Sequence, residues 1–154
     1  AIAMAKLADV SVVASDISEK ALAVAKSNID NNGVADKVTL IAGDMFAAVE
    51  GQFNLIICNP PYIPSKDINS LQKEVRCYAP VIALDGGKDG LDYYRTIAEC
   101  ADKYLTDGGA LALEVGVNQA GSVAKLLEGK YSVSVIKDMQ GIERIIIARL
   151  TARI

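Results

Sequence analysis

The 154-residue sequence contains no histidine and no tryptophan. Without histidine, a Ser-His-Asp or Cys-His nucleophile and a histidine-ligated metal centre are all excluded. The three cysteines, Cys58, Cys77 and Cys100, are widely spaced and odd in number. This pattern argues against a disulfide framework or a zinc site and is typical of a reducing compartment. We therefore expect a cytoplasmic protein with no bound metal.

Long apolar runs and strong positive charge are also missing. The apolar stretches are far shorter than the roughly 20 residues that span a bilayer, and the first residues lack the pattern of a signal peptide. The net charge is −3, and no cluster of lysine and arginine provides the electrostatic footprint of a protein that grips nucleic acid unaided. We expect no membrane and no direct nucleic-acid partner, and favour a protein or a small molecule instead.

What the sequence does contain is an alternation of strand and helix signals. Strands are predicted at residues 10–15, 37–42, Phe53–Cys58, 110–115, Tyr131–Lys137 and Glu143–Leu150, and helices at residues 1–7, 18–32, 92–105 and 118–127. The run Phe53–Cys58 is almost wholly apolar, as in a parallel strand that is buried on both faces. This order predicts one α/β domain over residues 1–154, a doubly wound and mostly parallel sheet that ends in an antiparallel hairpin.

The predicted helix at residues 1–7 has neither a capping residue nor a strand before it. A doubly wound nucleotide-binding fold normally begins with a strand and a glycine-rich turn that lead into this helix. The sequence contains no GxGxxG motif. We therefore expect the chain to be a fragment whose first strand and glycine-rich loop precede Ala1.

Polar residues follow three of the predicted strands: Asp16, then Gly43-Asp44-Met45, then Asn59-Pro60-Pro61-Tyr62. Ligands of open α/β sheets bind outside the carboxyl ends of the strands, so we expect three neighbouring strands to line one cleft. Asp16 could accept hydrogen bonds from both hydroxyls of a ribose, or equally well cap the helix that begins near Ser18.

Asp44 could accept a hydrogen bond from an adenine amino group, with Met45 or Phe46 packed on the ring. The alternative is a plain turn followed by core residues, which is the commoner role of methionine and phenylalanine.

The most informative motif is Asn59-Pro60-Pro61-Tyr62, which follows an apolar strand directly and is called the NPPY loop below. Two successive prolines end the strand ladder and fix an extended backbone, which directs the Asn59 side chain and the Pro60 carbonyl the same way. Both oxygens can then accept hydrogen bonds from one planar NH2 group while Tyr62 offers an aromatic face. This arrangement favours the positive charge that develops when the nitrogen attacks a sulfonium methyl group, and it needs no general base. The alternative is a proline-rich turn with a packed tyrosine.

Three further stretches accompany the NPPY loop: EVRCYAPVIALDGGKDGLDYYR at residues 74–95, LEVG at 113–116 with Gln119, and GIER at 141–144. Together they make the chain similar to the HemK/PrmC family of N5-glutamine methyltransferases, from Ala1 to about Leu150. The NPPY motif alone is shared with adenine-N6 DNA and some guanine-N2 RNA methyltransferases. The resemblance implies a seven-stranded, Rossmann-like methyltransferase sheet. It also implies that S-adenosylmethionine is the cofactor and that peptide chain release factors are modified at the glutamine of their GGQ motif.

The resemblance also assigns roles to individual residues. It implies that Asp16 binds the cofactor ribose and that Asp44 and Met45 flank the adenine. Asn59 would touch both the methionine part of the cofactor and the substrate amide. The residues that would shape the substrate pocket and support the reaction are Pro60, Pro61 and Tyr62.

The sequence departs from the family pattern in three places. The glycine-rich loop is absent, Met45 stands where the family often has an aromatic residue, and Ala79 stands where it usually has glutamate. Within residues 74–95, the charged side chains have two possible uses, a salt-bridged loop or substrate contact; they are Glu74, Arg76, Asp85 and Asp89. Glu114 is interpreted as a satisfied strand-end carboxylate outside the site, and Tyr94 as a packing residue.

Two other functional hypotheses remain. The same NPPY chemistry could serve a nucleic-acid amino-group methyltransferase that acts on adenine N6 or guanine N2. The negative net charge and residues 74–95 count against it. The second, from a different class, is a catalytically silent binding or scaffold domain that lacks the glycine loop and has lost cofactor binding.

Overall fold

The structure is a computed structural model that describes residues 1–151 of the chain. These residues form six strands and five α-helices. The strands are β1 (Val12–Asp16), β2 (Val38–Ala42), β3 (Phe53–Cys58), β4 (Leu105–Glu114), β5 (Tyr131–Lys137) and β6 (Glu143–Leu150). The helices are α1 (Ile2–Leu7), α2 (Glu19–Asn32), α3 (Lys73–Tyr78), α4 (Asp92–Cys100) and α5 (Ala120–Leu127). The chain divides into two compact units, Ala1–Gly51 and a second one that begins at Gln52.

The first unit consists of two parallel strands, β1 and β2, with α1 and α2. Helix α2 begins where the sequence predicts, because the Ser18 hydroxyl accepts a hydrogen bond from Ala21 N at 3.2 Å. It ends at Gly33, whose φ of +64° is the left-handed conformation that glycine adopts without strain. The small core of this unit combines α1, α2 and β2 through its buried residues Ala5, Ile29, Val34 and Val38.

The second unit is built on a mixed four-stranded sheet in the order β3-β4-β6-β5. Strand β3 runs parallel to β4, whereas β6 is antiparallel to both β4 and β5. The predicted terminal hairpin is therefore confirmed. Because β4 and β6 are the inner strands, they supply much of the core, together with α4 and α5; the fully buried side chains include Ile97, Leu111, Leu113, Val123 and Ile146.

The helix predicted at residues 92–105 is shorter in the structure. Helix α4 ends at Cys100, a 3-10 turn covers Ala101–Tyr104, and β4 already begins at Leu105. Leu105 is completely buried and pairs with Phe53, so burial in the sheet outweighs the helical pattern of the sequence. The pairing then shifts to Leu55 opposite Ala110, and the intervening residues bulge at Gly108, whose φ is +70°.

The predicted seven-strand count and the strand expected before Ala1 are not confirmed, because residues 1–151 form six strands in two sheets. Among the described residues, β3 pairs with β4 alone, in register from Leu55 opposite Ala110 to Cys58 opposite Leu113. Burial of β3 on both faces is also not found. It is an edge strand of its sheet in the described residues, and Leu55 and Ile57 are 42% and 59% exposed. The α/β class with a mixed sheet is confirmed.

None of the helices in residues 1–151 has the length and apolarity of a transmembrane span.

Candidate functional site

Two carboxylates lie at the carboxyl edge of the β1–β2 sheet. Asp16 is the last residue of β1 and pairs with Ala42, the last residue of β2. The ladder continues one step further, because Gly43 N donates to Asp16 O at 3.1 Å, and Asp44 follows directly. Both aspartate side chains are exposed. The first unit thus brings two of the predicted cofactor residues to the same sheet edge, where parallel α/β sheets bind ligands.

Asp16 serves local structure with only one of its two carboxylate oxygens. Its Oδ1 accepts a hydrogen bond from Ser18 N at 2.8 Å, which helps the chain turn into α2. Its Oδ2 has no hydrogen bond to the described part of the chain. Turn formation and ligand binding are therefore compatible uses of the same residue.

Met45 has a left-handed backbone, with φ of +49°. A non-glycine residue is strained in this region, by roughly 1–2 kcal/mol. Its carbonyl accepts a hydrogen bond from the Ser15 hydroxyl at 3.2 Å, so the end of β1 helps to hold the loop that follows β2.

The NPPY loop begins where β3 ends, as predicted, because Cys58 is the last residue of the strand. Asn59 is exposed, and its side chain makes no hydrogen bond to the described residues, whereas Pro60 is buried. The loop therefore has a fixed base next to a side chain whose amide is available to a ligand. Next to it, burial raises the pKa of the Cys58 thiol to about 11, which keeps this cysteine protonated and unsuited to be a nucleophile.

Residues 84–90, called the glycine segment below, run beside the NPPY loop. Ile63 N donates to Leu84 O at 3.0 Å, and Gly86 N donates back to Ile63 O at 2.9 Å. A Cβ atom on Gly86 would lie 2.8 Å from both the Pro61 carbonyl oxygen and the Tyr62 Cα atom. Only glycine permits this approach of two backbones, so the segment fixes the loop from one side.

The two aspartates of the glycine segment hold the chain itself. Asp85 accepts hydrogen bonds from the Ser65 hydroxyl at 2.7 Å and from Gly87 N at 2.9 Å, and these two contacts lower its pKa. Asp89 forms a two-pronged ion pair with the Arg95 guanidinium. Of the two uses left open by the sequence, these contacts favour the loop-holding one for both aspartates.

Arg76 likewise donates to a backbone carbonyl, that of Asn69, at 3.1 Å. Glu74 is exposed, as are most residues of α3.

Tyr62 contacts a residue that the sequence interpretation placed outside the site. Its hydroxyl donates to Glu114 Oε1 at 3.4 Å. Burial first, and then the Glu114 charge and hydrogen bond, raise the pKa of Tyr62, while the Arg144 charge opposes them. The signal that could have identified Glu114 is its position, since β3 and β4 are parallel and Asn59 and Glu114 each come one residue after the pair Cys58 and Leu113.

Tyr94 holds the end of β4 through the backbone of Glu114. It is 1% exposed, which confirms the predicted packing role, and its hydroxyl donates to the Glu114 carbonyl oxygen at 2.7 Å. Gln119 completes the surroundings of the loop, because its Nε2 donates to the Tyr62 carbonyl oxygen at 2.9 Å.

Residues 1–151 bring together no group of three or more histidine, cysteine, aspartate or glutamate side chains that could hold a metal ion. What the two units offer is a pair of exposed carboxylates at one sheet edge and, in the second unit, an exposed asparagine at the start of a braced loop. Acceptors of this kind suit hydroxyl, amino and amide donors.

Comparison with known proteins identifies relatives along nearly the whole chain. Residues 1–87 match the family described as "Methyltransferase small domain". A release factor glutamine methyltransferase from Cereibacter sphaeroides is 46% identical over 142 residues, which cover 91% of this chain and 51% of that protein. One from Gloeobacter violaceus is 43% identical, over 99% of this chain and 55% of its own length. The chain thus spans about half the length of these relatives, and the predicted resemblance is confirmed.

Among solved structures, a methyltransferase from Pyrococcus furiosus superposes with a TM-score of 0.74. The alignment covers 99% of this chain and 68% of that one at 24% identity. At this identity the superposition shows the fold alone, and the fold is that of a methyltransferase.

Proposed function

Because this chain belongs to the methyltransferase small domain family, we propose that it transfers a methyl group from S-adenosylmethionine to a glutamine side-chain amide of peptide chain release factors. The observation that carries the proposal is the NPPY loop, in which an exposed and unpaired Asn59 follows β3 directly and Tyr62 is held by Glu114 and Gln119. The names of the relatives support the release factor as substrate. Release factors act in the cytoplasm, which is the location we propose.

The described residues fit S-adenosylmethionine on chemical grounds. Asp16 retains an unpaired carboxylate oxygen, which suits a ribose hydroxyl, and the exposed Asp44 suits an adenine amino group. Met45 offers a polarizable thioether beside them, which packs favourably against aromatic rings. When bound, the cofactor supplies an electrophilic methyl group on a positively charged sulfur.

The NPPY loop would hold the nucleophile. The lone pair of an amide nitrogen is conjugated with its carbonyl, so the nitrogen attacks slowly unless it is held in line and its developing charge is stabilised. Asn59 Oδ1 and the Pro60 carbonyl oxygen would accept the two amide hydrogens, which orients the nitrogen. Pro61 and the Tyr62 ring would form the wall of the pocket.

Glu114 gives this pocket a fixed negative charge behind the tyrosine. By accepting from the Tyr62 hydroxyl, it increases the electron density of the ring that faces the developing positive charge. No residue has to remove the nitrogen proton before the attack, because the methylated nitrogen loses it to solvent afterwards.

The experiment is a methyl-transfer assay with labelled S-adenosylmethionine and three acceptors: a release factor, the same factor with its GGQ glutamine replaced by alanine, and duplex DNA. We expect one methyl group on the intact release factor, located on the glutamine by mass spectrometry, and none on the other two. Methylation of duplex DNA with the release factor left untouched would replace the proposal with the nucleic-acid hypothesis.

A separate binding measurement tests the third hypothesis. If the purified protein shows no heat of binding with S-adenosylmethionine and methylates no acceptor, the silent-domain hypothesis stands and ours fails.

A further inference from the structure

Gln119 precedes α5, outside the NPPY loop, and its side chain is part-buried against three separate backbone segments. We propose that Gln119 is the positioning residue of the substrate pocket, because it sets the Tyr62 backbone that the proposed reaction uses. This inference rests on the proposed function for its catalytic consequence. The contacts themselves belong to the second unit alone.

The amide of Gln119 is used at both ends. Its Nε2 donates to the Tyr62 carbonyl oxygen at 2.9 Å and to the Gly90 carbonyl oxygen at 3.4 Å. Its Oε1 accepts from Gly116 N at 3.0 Å. A primary amide has two N–H donors and one carbonyl acceptor, so all of its polar groups are engaged. One side chain therefore joins the NPPY loop, the glycine segment and the turn after β4.

The surrounding backbone leaves room for this amide and for little else. A Cβ atom on Gly90 would lie 2.6 Å from Gln119 Nε2, and one on Gly116 would lie 2.5 Å from Gln119 Oε1. Gly90 also has a φ of +78°, which glycine adopts without strain. Two glycines thus border the amide, one on its donor side and one on its acceptor side.

The turn that carries Gln119 is itself constrained. Gln119 N donates to the Gly116 carbonyl oxygen at 3.1 Å, and the intervening Asn118 has a left-handed φ of +65°. The Gly116 backbone is therefore bonded to Gln119 twice, once through main chain and once through the side chain. Such a closed arrangement fixes the direction in which the amide reaches Tyr62.

Only glutamine satisfies these partners. A carboxylate of the same length would turn an acceptor oxygen, in place of the NH2 group, toward the two carbonyl oxygens and lose both donors. A methionine of similar size would lose all three hydrogen bonds. In either variant the Tyr62 carbonyl loses its restraint, and with it the pocket that the ring of Tyr62 forms. A displacement of about 1 Å at a reacting group is enough to lower turnover about 100-fold.

The test compares Gln119→Glu and Gln119→Met with the wild-type protein and with Gln52→Glu. Gln52 is an exposed residue just before the opposite end of β3, so the control carries the same change of charge far from the NPPY loop. We expect both Gln119 variants to lose about 100-fold in kcat/KM for the release factor. Their affinity for S-adenosylmethionine and the control's kcat/KM should remain at the wild-type values.

A purely structural role would instead lower cofactor affinity, the fraction of active protein and turnover together, and that result would overturn the proposal. Wild-type kcat/KM in both Gln119 variants would overturn it as well. If the glutamate variant does not fold, the methionine variant, which buries no new charge, gives the answer.

Amide hydrogen exchange keeps this inference distinct from the proposed function. The Ile63 amide follows Tyr62 and donates to Leu84 O. Its hydrogen should exchange faster in both Gln119 variants than in the wild-type protein, and at the wild-type rate in Gln52→Glu. This holds whatever substrate the protein methylates, so a wild-type protein inactive on release factors would refute only the proposed function. Unchanged exchange at Ile63 in both Gln119 variants would refute the positioning role.

Discussion

The loops after β2 and β3 differ in how much of the surrounding chain supports them. Residues 43–47, which follow β2 in the first unit and are called the local loop below, close on themselves through a bond from Ala47 N to Asp44 O at 2.9 Å, and the Ser15 hydroxyl of β1 donates to the Met45 carbonyl oxygen. The NPPY loop, in the second unit, is held by Gln119, 57 positions beyond Tyr62, and by the glycine segment. The local loop is closed mainly by its own backbone, whereas the NPPY loop depends on the folding of several segments of the second unit.

This difference bears on how each loop meets its proposed ligand. Segments with few buried contacts open at low free energy, and the first unit has a small core while the second unit contains most of the buried apolar residues of the described chain. We infer that the carboxylates proposed for the cofactor adjust on binding. The NPPY loop, by contrast, is organised before the substrate arrives, which is what catalysis by orientation requires.

The largest expected effect comes from Asn59→Ala. Removal of one hydrogen-bonding group aimed at the reacting atoms typically lowers kcat by about 10²–10³-fold. Because the Asn59 side chain is exposed and bonds to no described residue, the free energy of unfolding should not change.

Methyl-transfer kinetics and urea denaturation measure the two quantities for this variant. Asn54→Ala is the matched control, since Asn54 lies near the other end of β3 and, within residues 1–151, its side chain bonds to Thr106 alone. Full activity in Asn59→Ala would remove the NPPY loop from the mechanism.

Gly86→Ala should have the next largest effect, because its Cβ would press on the backbone of Pro61 and Tyr62. Overpacking of this kind costs about 1–3 kcal/mol of stability, and activity should fall with it. Gly121→Ala is the control: this glycine lies in α5 with no atom within 4 Å of the added Cβ, and the change should stabilise by about 0.5–1 kcal/mol. If urea denaturation gave Gly86→Ala the stability of the wild-type protein, the glycine segment would not brace the NPPY loop.

The ends of helix α2 and of strand β3 were predictable from sequence. The Ser18 cap, the Gly33 stop and the end of β3 at Cys58, ahead of the two prolines, each follow from the preferences of single residues, and the structure has all three. Such features depend on neighbours a few positions away, which a sequence displays directly.

The supports of the NPPY loop were not predictable in the same way. Glu114 and Gln119 reach Tyr62 only because β3 and β4 pair in parallel and the chain then turns back at Gly116. That pairing also explains why β4 starts at Leu105 rather than at residue 110. The register between β3 and β4 decides both the contacts to Tyr62 and the start of β4. The paired residues lie some fifty positions apart in the chain, so the spacing of apolar residues within each strand does not reveal them.

Glu114→Gln tests the support of Tyr62 by its titration. The pKa of Tyr62 is raised in the folded protein above its unfolded value of 10.0. The stability that the Tyr62 hydroxyl contributes is therefore fully present below pH 10.0 and is lost as the pH rises through the folded pKa. Removing the Glu114 charge should lower the pKa of Tyr62, so that this loss begins at lower pH. Phenolate absorbance, corrected with a Tyr62→Phe variant, measures the shift. An unchanged titration would mean that burial alone sets this pKa.

The smallest expected effect is that of Met45→Gly in the local loop. Glycine relieves the left-handed strain of roughly 1–2 kcal/mol but adds about 0.5–1 kcal/mol of unfolded-state entropy, so stability should rise by about 1 kcal/mol or less. Affinity for S-adenosylmethionine should fall, because the side chain proposed to pack on the adenine is gone. Thermal melting measures the change in stability, and calorimetric titration measures the change in affinity for S-adenosylmethionine.

Ser15→Ala is the control, since it removes the bond to the Met45 carbonyl and leaves the Met45 side chain in place. If Met45→Gly bound the cofactor as tightly as the wild-type protein, Met45 would be a turn residue only, and the local loop would contribute Asp44 alone.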